Sequence, residues 1–234
     1  MISDENNDDE CYERADYILN DVVKFDLKGK KLLDFGCGAG HVADLASKVA
    51  GSSHGFDIHR HKNKIWSSDS IKFTSNWPNI ISDGPYDFVI SHDVFDHSRF
   101  PLEDMHRVFS VLKPGGKAFF RCHPICSRHG GHLYKTFNKA FAHLVLNENE
   151  LKDLSLKLPP QRVIYPIKTY ESYANRIGFK IISTIAVQQD VEDFFVNNDL
   201  VADRILAFYG SSSGAGPVPL FQMSQSYVDM LVTK

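Results

Sequence analysis

The chain has 234 residues, of which 43% are hydrophobic and 24% are charged, and its formal net charge is −3. This composition is typical of a globular protein long enough to enclose a core, which excludes a disordered, collagen-like or disulfide-framework chain. Six carboxylates precede the first basic residue, Arg14, and removing these six of the 29 acidic residues leaves 23 against 26 basic ones. Because the rest of the chain is close to neutral, the sequence disfavours a nucleic-acid partner.

The amino-terminal segment and the cysteines bear on the compartment. Residues 1–10 are acidic and predict a mobile tail, and they lack the basic and apolar regions of a signal peptide. The longest apolar runs fall far short of the roughly 20 residues that span a bilayer. Four cysteines are too few for a disulfide scaffold in a chain of this length. We therefore expect a cytoplasmic protein without a membrane span.

Short apolar strands alternate with helical patterns through the first half of the chain. In chain order, the patterns predict a helix over 11–25, a strand over 31–35, a helix from 42 to about 50, strands over 53–58, 71–74 and 86–91, a helix over 102–112, a turn at 113–116 and a strand over 117–122. Strands that alternate with helices form a parallel sheet covered on both faces. The predicted fold is therefore α/β and doubly wound.

The pattern changes after residue 122. Residues 123–160 are rich in His, Gly and Asn, and we expect an insertion there that covers the substrate. A helix over 170–177, a strand ending near 187 and a last strand over 227–233 follow, and the two strands predict a hairpin-like pair that closes the sheet. Residues 11–234 are thus expected to form a single domain.

The most informative segment is the loop from Asp34 to Gly40, D-F-G-C-G-A-G, between the first strand and the next helix. Gly36, Gly38 and Gly40 allow a tight turn and a close approach to a ligand because they lack a Cβ. The spacing is G-x-G-x-G, whereas the dinucleotide fingerprint is G-x-G-x-x-G with a pyrophosphate at the helix N-terminus. The carboxylate of Asp34 would repel a phosphate but would accept a hydrogen bond from an ammonium group.

A second acid strengthens this interpretation. Asp57 ends the second strand, where related nucleotide-binding folds place a carboxylate against the ribose hydroxyls. The two acids and the loop favour a nucleoside that carries an amino-acid arm. A tight turn without a ligand and a nicotinamide or flavin dinucleotide site remain the alternatives.

Four segments resemble the class I S-adenosylmethionine-dependent methyltransferases. K-L-L-D-F-G-C-G-A-G-H is similar to their first motif, G-F-D-I-H to the acidic second motif, Y-D-F-V-I-S-H-D-V-F-D-H to the fourth strand, and V-L-K-P-G-G-K-A-F-F to the following turn and fifth strand. The run Y-E-S-Y-A-N-R-I-G-F-K fits the later helix and strand. The resemblance implies a Rossmann-like seven-stranded sheet with an antiparallel last strand, and S-adenosylmethionine as the methyl donor.

The resemblance also implies a set of cofactor-binding residues. Asp34 and the loop residues Gly36, Cys37, Gly38 and Gly40 would hold the methionine part of the donor. The other predicted contacts are those of the nucleoside: Asp57 and Ile58 at the ribose and adenine, Asn76 and Trp77 after the third strand, and Ser91 at the end of the fourth. The acid often found near the adenine amino group is Asn76 here, and Trp77 either stacks on adenine or packs at the rim.

Histidines supply the candidates for a general base, because methyl transfer to a hydroxyl group requires removal of a proton. His92 follows the fourth strand, next to Asp93, and the segment His129-Gly130-Gly131-His132 follows the fifth. Both segments are expected at the carboxyl edge of the sheet, where open α/β folds bind ligands. We predict His132 as the base, with His129 and His92 as alternatives. Loop histidines that only support hydrogen bonds are the structural alternative.

The acceptor is expected to be a small molecule or a glycan intermediate that is methylated on oxygen. The G-G-H-L segment is similar to one in methyltransferases found alongside glycosyltransferases of surface-polysaccharide pathways. Arg121 and Arg128 are candidates to recognise an anionic acceptor group. N- or C-methylation of a metabolite and a non-catalytic S-adenosylmethionine-binding subunit remain alternatives. We predict no metal, because an Mg²⁺ site built from Asp93, Asp96, His92 and His132 would have few carboxylates.

Overall fold

The computed structural model describes residues 8–62, 65–66, 71–124, 127–128, 130–131, 133, 136–157, 167–188, 203–204 and 225–234. The strands of its sheet are β1 (Lys31–Phe35), β2 (Ser52–Phe56), β3 (Lys72–Thr74), β4 (Tyr86–His92), β5 (Leu112–Cys122), β6 (Lys180–Gln188) and β7 (Gln225–Thr233). The helices are α1 (Asp8–Tyr17), α2 (His41–Ser47), α3 (Trp77–Asp83), α4 (Pro101–Val111), α5 (Ala142–Val145), α6 (Glu148–Asp153) and α7 (Ile167–Ile177), and a π-helical segment, Ile18–Val23, continues α1.

The seven strands form one sheet in the order β3-β2-β1-β4-β5-β7-β6. β1 pairs in parallel with β2 and β4, and β2–β3 and β4–β5 are parallel as well. β7 is antiparallel to both β5 and β6. The predicted doubly wound sheet with an antiparallel last strand is therefore confirmed. Because β1 and β4 are adjacent, their carboxyl ends bring Asp34 and His92 to the same edge.

Alternate residues of the central strands face two separate apolar cores. Leu33 and Val89 belong to the core formed with α4 and α7, while Leu32 and Ile90 belong to the core formed with α2 and the π-helical segment. All four side chains are fully buried. The sheet is thus covered on both faces, and its carboxyl edge is the side left for a ligand.

Several boundaries differ from the predictions, among them the end of β2 at Phe56, which places Asp57 just after this strand rather than at its end. α1 begins at Asp8, so part of the predicted acidic tail is helical, and its acidic first turn lies where the helix dipole favours negative charge. Helix α3 follows Asn76 and was not predicted. β5 begins at Leu112 rather than at residue 117, because the predicted turn lies inside the strand as a bulge: Tyr86 pairs with Leu112 and Phe88 with Lys117. Within the described residues, no helix has the length and apolarity needed to cross a membrane.

Candidate functional site: the carboxyl edge of the sheet

The glycine loop joins β1 to α2 at the carboxyl edge. Its φ angles are +81° at Gly36, +51° at Gly38 and +98° at Gly40, left-handed values that favour glycine. A Cβ at Gly36 would lie 2.3 Å from Val94 Cγ2, and one at Gly40 would lie 2.7 Å from Phe73 Cε1, so neighbouring side chains fill both positions. A Cβ at Gly38 would meet nothing within 4 Å. The open side of the loop is therefore at Gly38.

Strand β2 holds this loop in place. The backbone N–H groups of Gly36 and Cys37 both donate to the carbonyl of Phe56, at 2.7 and 3.0 Å. The Cys37 thiol packs against β2, since a Cβ at Gly55 would lie 2.9 Å from its Sγ. Burial, followed by two nearby carboxylates, raises the pKa of the Cys37 thiol well above its ordinary value. Cys37 therefore contributes packing and backbone to the loop, not a thiolate.

Asp34 and Ser91, at the ends of β1 and β4, are buried polar groups. Asp34 is 4% exposed, and within the described residues its Oδ2 has no hydrogen-bond partner. Burial and the nearby charge of Asp57 raise the pKa of Asp34 to about 7, against a backbone hydrogen bond from Ala43. A buried carboxylate oxygen without a donor is costly, and a ligand ammonium group would supply the donor. The Ser91 hydroxyl likewise has no hydrogen-bond partner among the residues that the structure describes.

Asp57 connects the glycine loop to the segment after β2. Its Oδ2 accepts a hydrogen bond from the Gly38 N–H at 2.8 Å, and its Oδ1 accepts one from the His59 N–H at 2.9 Å. Each carboxylate oxygen has a second lone pair for a ligand hydroxyl. Ile58 is 72% exposed and presents an apolar surface directly beside this carboxylate. Asp57 and Ile58 together offer hydrogen-bond acceptors and an apolar surface, which suit the ribose hydroxyls and the base of a nucleoside.

Asn76 precedes α3, and Trp77 is the first residue of this helix. Asn76 is exposed, and its N–H donates to Thr74 Oγ1 at 3.0 Å. Trp77 is partly buried, and its ring lies edge-on to Phe35 and Phe56, with centroids 5.8 and 5.1 Å apart. These contacts favour rim packing for Trp77, one of the two roles predicted for it.

Three basic side chains contact the carboxylate of Asp93, the residue that follows β4. His92 Nδ1 lies 3.2 Å from its Oδ2, Arg14 Nη2 donates to the same oxygen at 2.7 Å, and His123 Nε2 lies 3.3 Å from Oδ1. Burial raises the pKa of Asp93, but the hydrogen bonds from His123 and His92 outweigh it and hold the pKa well below its usual range. Asp93 is therefore ionised, and His92 is oriented through Nδ1.

The two histidines at Asp93 differ in their partners. His123 has Nε2 at Asp93 and Nδ1 at 2.9 Å from the carbonyl of Ser226, so both ring nitrogens face acceptors. Burial lowers the pKa of His123, but Asp93 and the Ser226 carbonyl outweigh it and raise the pKa. Because both ring nitrogens face acceptors, this arrangement suits a hydrogen-bond donor better than a base. His92 is the histidine of the pair that suits proton removal.

Arg121 does not fit its predicted role in binding an anionic acceptor. Its Nε and Nη2 both lie 2.6 Å from the carboxylate oxygens of Asp229, and its guanidinium lies 3.9 Å from the centroid of the Tyr227 ring. This pair, of which Arg121 is buried and Asp229 partly buried, joins β5 to β7. The Arg121 donors are therefore used in holding the sheet together, while Arg128 has an exposed side chain.

His129 and His132 lie outside the described residues, and their roles stay predictions. The neighbouring Gly131 is described, and a Cβ there would lie 2.2 Å from His143 Cβ. The close approach that this glycine permits is therefore to the side chain of His143, which is buried. The insertion predicted over 123–160 contains α5 and α6.

Arg14 and His123 are functional candidates that the sequence patterns did not single out. Arg14 is separated from Asp93 by 79 residues, and no local signal marks a contact at that distance. His123 directly follows β5, a position that could have marked it. Within the described ranges, no group of three or more His, Cys, Asp or Glu side chains is arranged to hold a metal ion.

A comparison with protein families gives one match that covers most of the chain. A family model described as a methyltransferase domain matches residues 9–184. Among curated proteins, the ubiquinone biosynthesis O-methyltransferase of Vibrio parahaemolyticus is 29% identical over 116 residues, which are 46% of this chain and 48% of that protein. The enzyme of the same name from Vibrio vulnificus is 30% identical over the same shares. The matched part thus spans about half the length of these relatives.

Solved structures resemble the fold at lower identity. The phosphoethanolamine N-methyltransferase 2 of Haemonchus contortus, in complex with S-adenosyl-L-methionine, is 17% identical with a TM-score of 0.58, over 95% of this chain and 52% of that one. An S-adenosylmethionine-dependent methyltransferase from Mesorhizobium loti is 11% identical with a TM-score of 0.57, over 94% and 98%. At these identities the likeness concerns the fold.

Proposed function

This chain belongs to the methyltransferase domain family, and from that premise we propose that it methylates a hydroxyl oxygen of a small-molecule acceptor. It is an enzyme, an S-adenosylmethionine-dependent methyltransferase. The oxygen and the class of acceptor are the proposal. The observation that carries the donor side is the buried Oδ2 of Asp34, which has no hydrogen-bond partner within the described residues.

The residues at the carboxyl edge fit the donor. When bound, S-adenosylmethionine supplies a methyl group activated by a positively charged sulfur. Asp34 would accept a hydrogen bond from the amino group of the donor, and Gly38, which has no side chain, leaves room beside the loop for the donor's methionine part. Asp57 would accept from the ribose hydroxyls, while Ile58 provides an apolar surface for adenine. Asn76 and Ser91 remain further proposed contacts, whereas the packing of Trp77 against Phe35 and Phe56 favours a place at the rim of the site.

On the acceptor side, His92 is proposed as the general base. Asp93 holds Nδ1 of this histidine, which directs the other nitrogen, Nε2, toward proton uptake. The acceptor oxygen would bond to the methyl carbon as the carbon–sulfur bond breaks, its proton would pass to Nε2, and S-adenosylhomocysteine would leave. Methylation of a hydroxyl group requires a base to remove the proton, so a histidine held in this way favours oxygen as the acceptor atom. The names of the Vibrio relatives agree with oxygen.

The acceptors to consider are sugars, nucleotide-sugars, glycan intermediates and phenols. Formation of S-adenosylhomocysteine should be measured with each class, and the product mass should be determined. Methyl transfer to a hydroxyl of one class is the expected result. Transfer only to amines would contradict the proposal, and donor binding without turnover on any acceptor would favour a non-catalytic subunit.

The base is tested by substitution. His92→Gln should lower kcat by about 100-fold or more while the Kd for S-adenosylmethionine stays unchanged, because a general base contributes 10²–10⁴-fold. His106→Gln, at an exposed position of α4, is the matched control and should retain activity. His132→Gln and His129→Gln belong in the same series. If His132→Gln loses turnover and His92→Gln does not, the base is His132.

The compartment is also a proposal. Cys11 and Cys37 are free thiols in the structure, which agrees with a reducing environment such as the cytoplasm.

A further inference from the structure

Trp66 lies in the connection between β2 and β3 and makes a direct contact with the glycine loop. Its Nε1 donates a hydrogen bond to the carbonyl of Gly38 at 3.0 Å, although the two residues are 28 positions apart. The side chain is 9% exposed and stacks on Phe73, with ring centroids 5.2 Å apart and planes inclined by 22°. No sequence motif points to this residue.

Together with Asp57, Trp66 holds both backbone polar groups of Gly38. The N–H of Gly38 donates to Asp57 Oδ2, and its carbonyl accepts from Trp66. Glycine has the largest backbone freedom of any residue, so a glycine at the open side of the loop needs external contacts to keep one conformation. These two hydrogen bonds orient the peptide groups on either side of Gly38.

The stack beneath the loop explains why two other glycines are required. A Cβ at Gly55 would lie 2.3 Å from Phe73 Cδ1, and a Cβ at Gly40 would lie 2.7 Å from Phe73 Cε1. Phe73 therefore occupies the space that a side chain at Gly55 or Gly40 would need, and its ring stacks against the ring of Trp66. The position of the indole N–H is thus set by packing, not by a flexible side chain.

We propose that Trp66 is a positioning residue for the methyl donor: it fixes the conformation of the loop at Gly38 before the donor binds. This inference rests on the proposed donor site at Asp34, Gly38 and Asp57. Trp66 acts through the loop and touches neither the acceptor nor the base. Its loss should therefore weaken donor binding and leave the rate of methyl transfer at saturating donor unchanged.

The test is Trp66→Phe, which keeps an aromatic ring on Phe73 and removes the N–H donor. The KM and Kd for S-adenosylmethionine should rise about threefold to tenfold, which is the effect of one neutral hydrogen bond, while kcat stays the same. Tyr86→Phe is the matched control. It removes the hydroxyl that bonds His54 Nδ1 at 2.8 Å, a buried hydrogen bond at the opposite edge of the sheet. The control should lose stability without a change in KM for the donor.

A spectroscopic measurement separates positioning from a general structural effect. The chain has 2 tryptophans, so protein labelled with 5-fluorotryptophan gives two ¹⁹F resonances, which Trp66→Phe assigns. The Trp66 resonance should shift when S-adenosylhomocysteine saturates the protein. An unchanged KM in Trp66→Phe, or an equal rise in Tyr86→Phe, would overturn the inference. Absence of donor binding by the wild-type chain would instead refute the proposed function.

Discussion

Asp34→Asn should stabilise the ligand-free protein and weaken donor binding at the same time. Burial and the charge of Asp57 raise the pKa of Asp34 from 3.8 to about 7. The folded chain therefore holds this proton more tightly than the unfolded chain, and its stability falls as the pH rises from 3.8 to about 7. The full difference between the folded and unfolded pKa values of Asp34 corresponds to about 4 kcal/mol in the free energy of unfolding. An amide at this position avoids the cost of the buried charge.

The expected gain is smaller than this difference, because a buried amide also needs hydrogen-bond partners. We expect Asp34→Asn to raise the free energy of unfolding by about 1–3 kcal/mol at about pH 7.5. For a chain of this size, that corresponds to about 2–4 °C in Tm for each kcal/mol. Near pH 4 the carboxyl is protonated in the folded chain and about half protonated in the unfolded chain, so most of the difference in Tm should be lost there.

Calorimetry supplies the second measurement. The wild-type chain must release the Asp34 proton to bind an ammonium group, so its affinity for S-adenosylmethionine should rise about fivefold from about pH 6 to pH 7, with a proton released on binding. Asp34→Asn should bind more weakly and lose this proton release. A variant that is less stable than the wild type at about pH 7.5, yet binds the donor with the same pH dependence, would refute the reasoning.

Two further predictions concern glycine and histidine. Gly38→Ala and Gly115→Ala place an alanine at φ of +51° and +76°, with nothing within 4 Å of either Cβ. Each should lose about 1–2 kcal/mol of stability, and Gly38→Ala alone should weaken donor binding in calorimetry; equal binding by both variants would show that the open side of the loop faces no ligand. Burial, followed by the charge of Lys31, lowers the pKa of His54 from 6.5 to about 4, so the folded chain should lose stability as the pH falls from 6.5 to about 4. Urea unfolding should show a loss of about 2 kcal/mol at about pH 5, absent in His54→Gln; the same loss in that variant would contradict this assignment.

The elements with strong local patterns were predictable from the sequence. β1 has the predicted bounds because an apolar run between a glycine and a glycine loop leaves little choice. Helix α3 was missed because its segment, W-P-N-I-I-S-D, is short and buries only Ile80. Such a helix forms at its place in the fold and has no amphipathic period to detect.

The proximity of the second acid to the glycine loop was predictable, whereas the supporting contacts were not. Asp34, Asp57 and the loop were predicted as one site because their order along the chain is distinctive, and the structure brings Asp57 to the Gly38 N–H. The sequence treats Gly36, Gly38 and Gly40 as equivalent, whereas packing makes only Gly38 open. That difference depends on Val94, which follows β4, and on Phe73 of β3, so a pattern local to the loop cannot contain it.

The two edges of the sheet differ in the partners of their buried ionisable side chains, and this difference argues for function at the carboxyl edge. At the amino edge, His54 bonds Tyr86, and Lys72 pairs with Asp83 at 2.7 Å. At the carboxyl edge, Asp34 keeps a carboxylate oxygen without a donor among the described residues. Folding alone would favour an apolar residue or a paired acid at that position. An acid kept there at a cost in stability is best explained by a cationic ligand that supplies the missing donor.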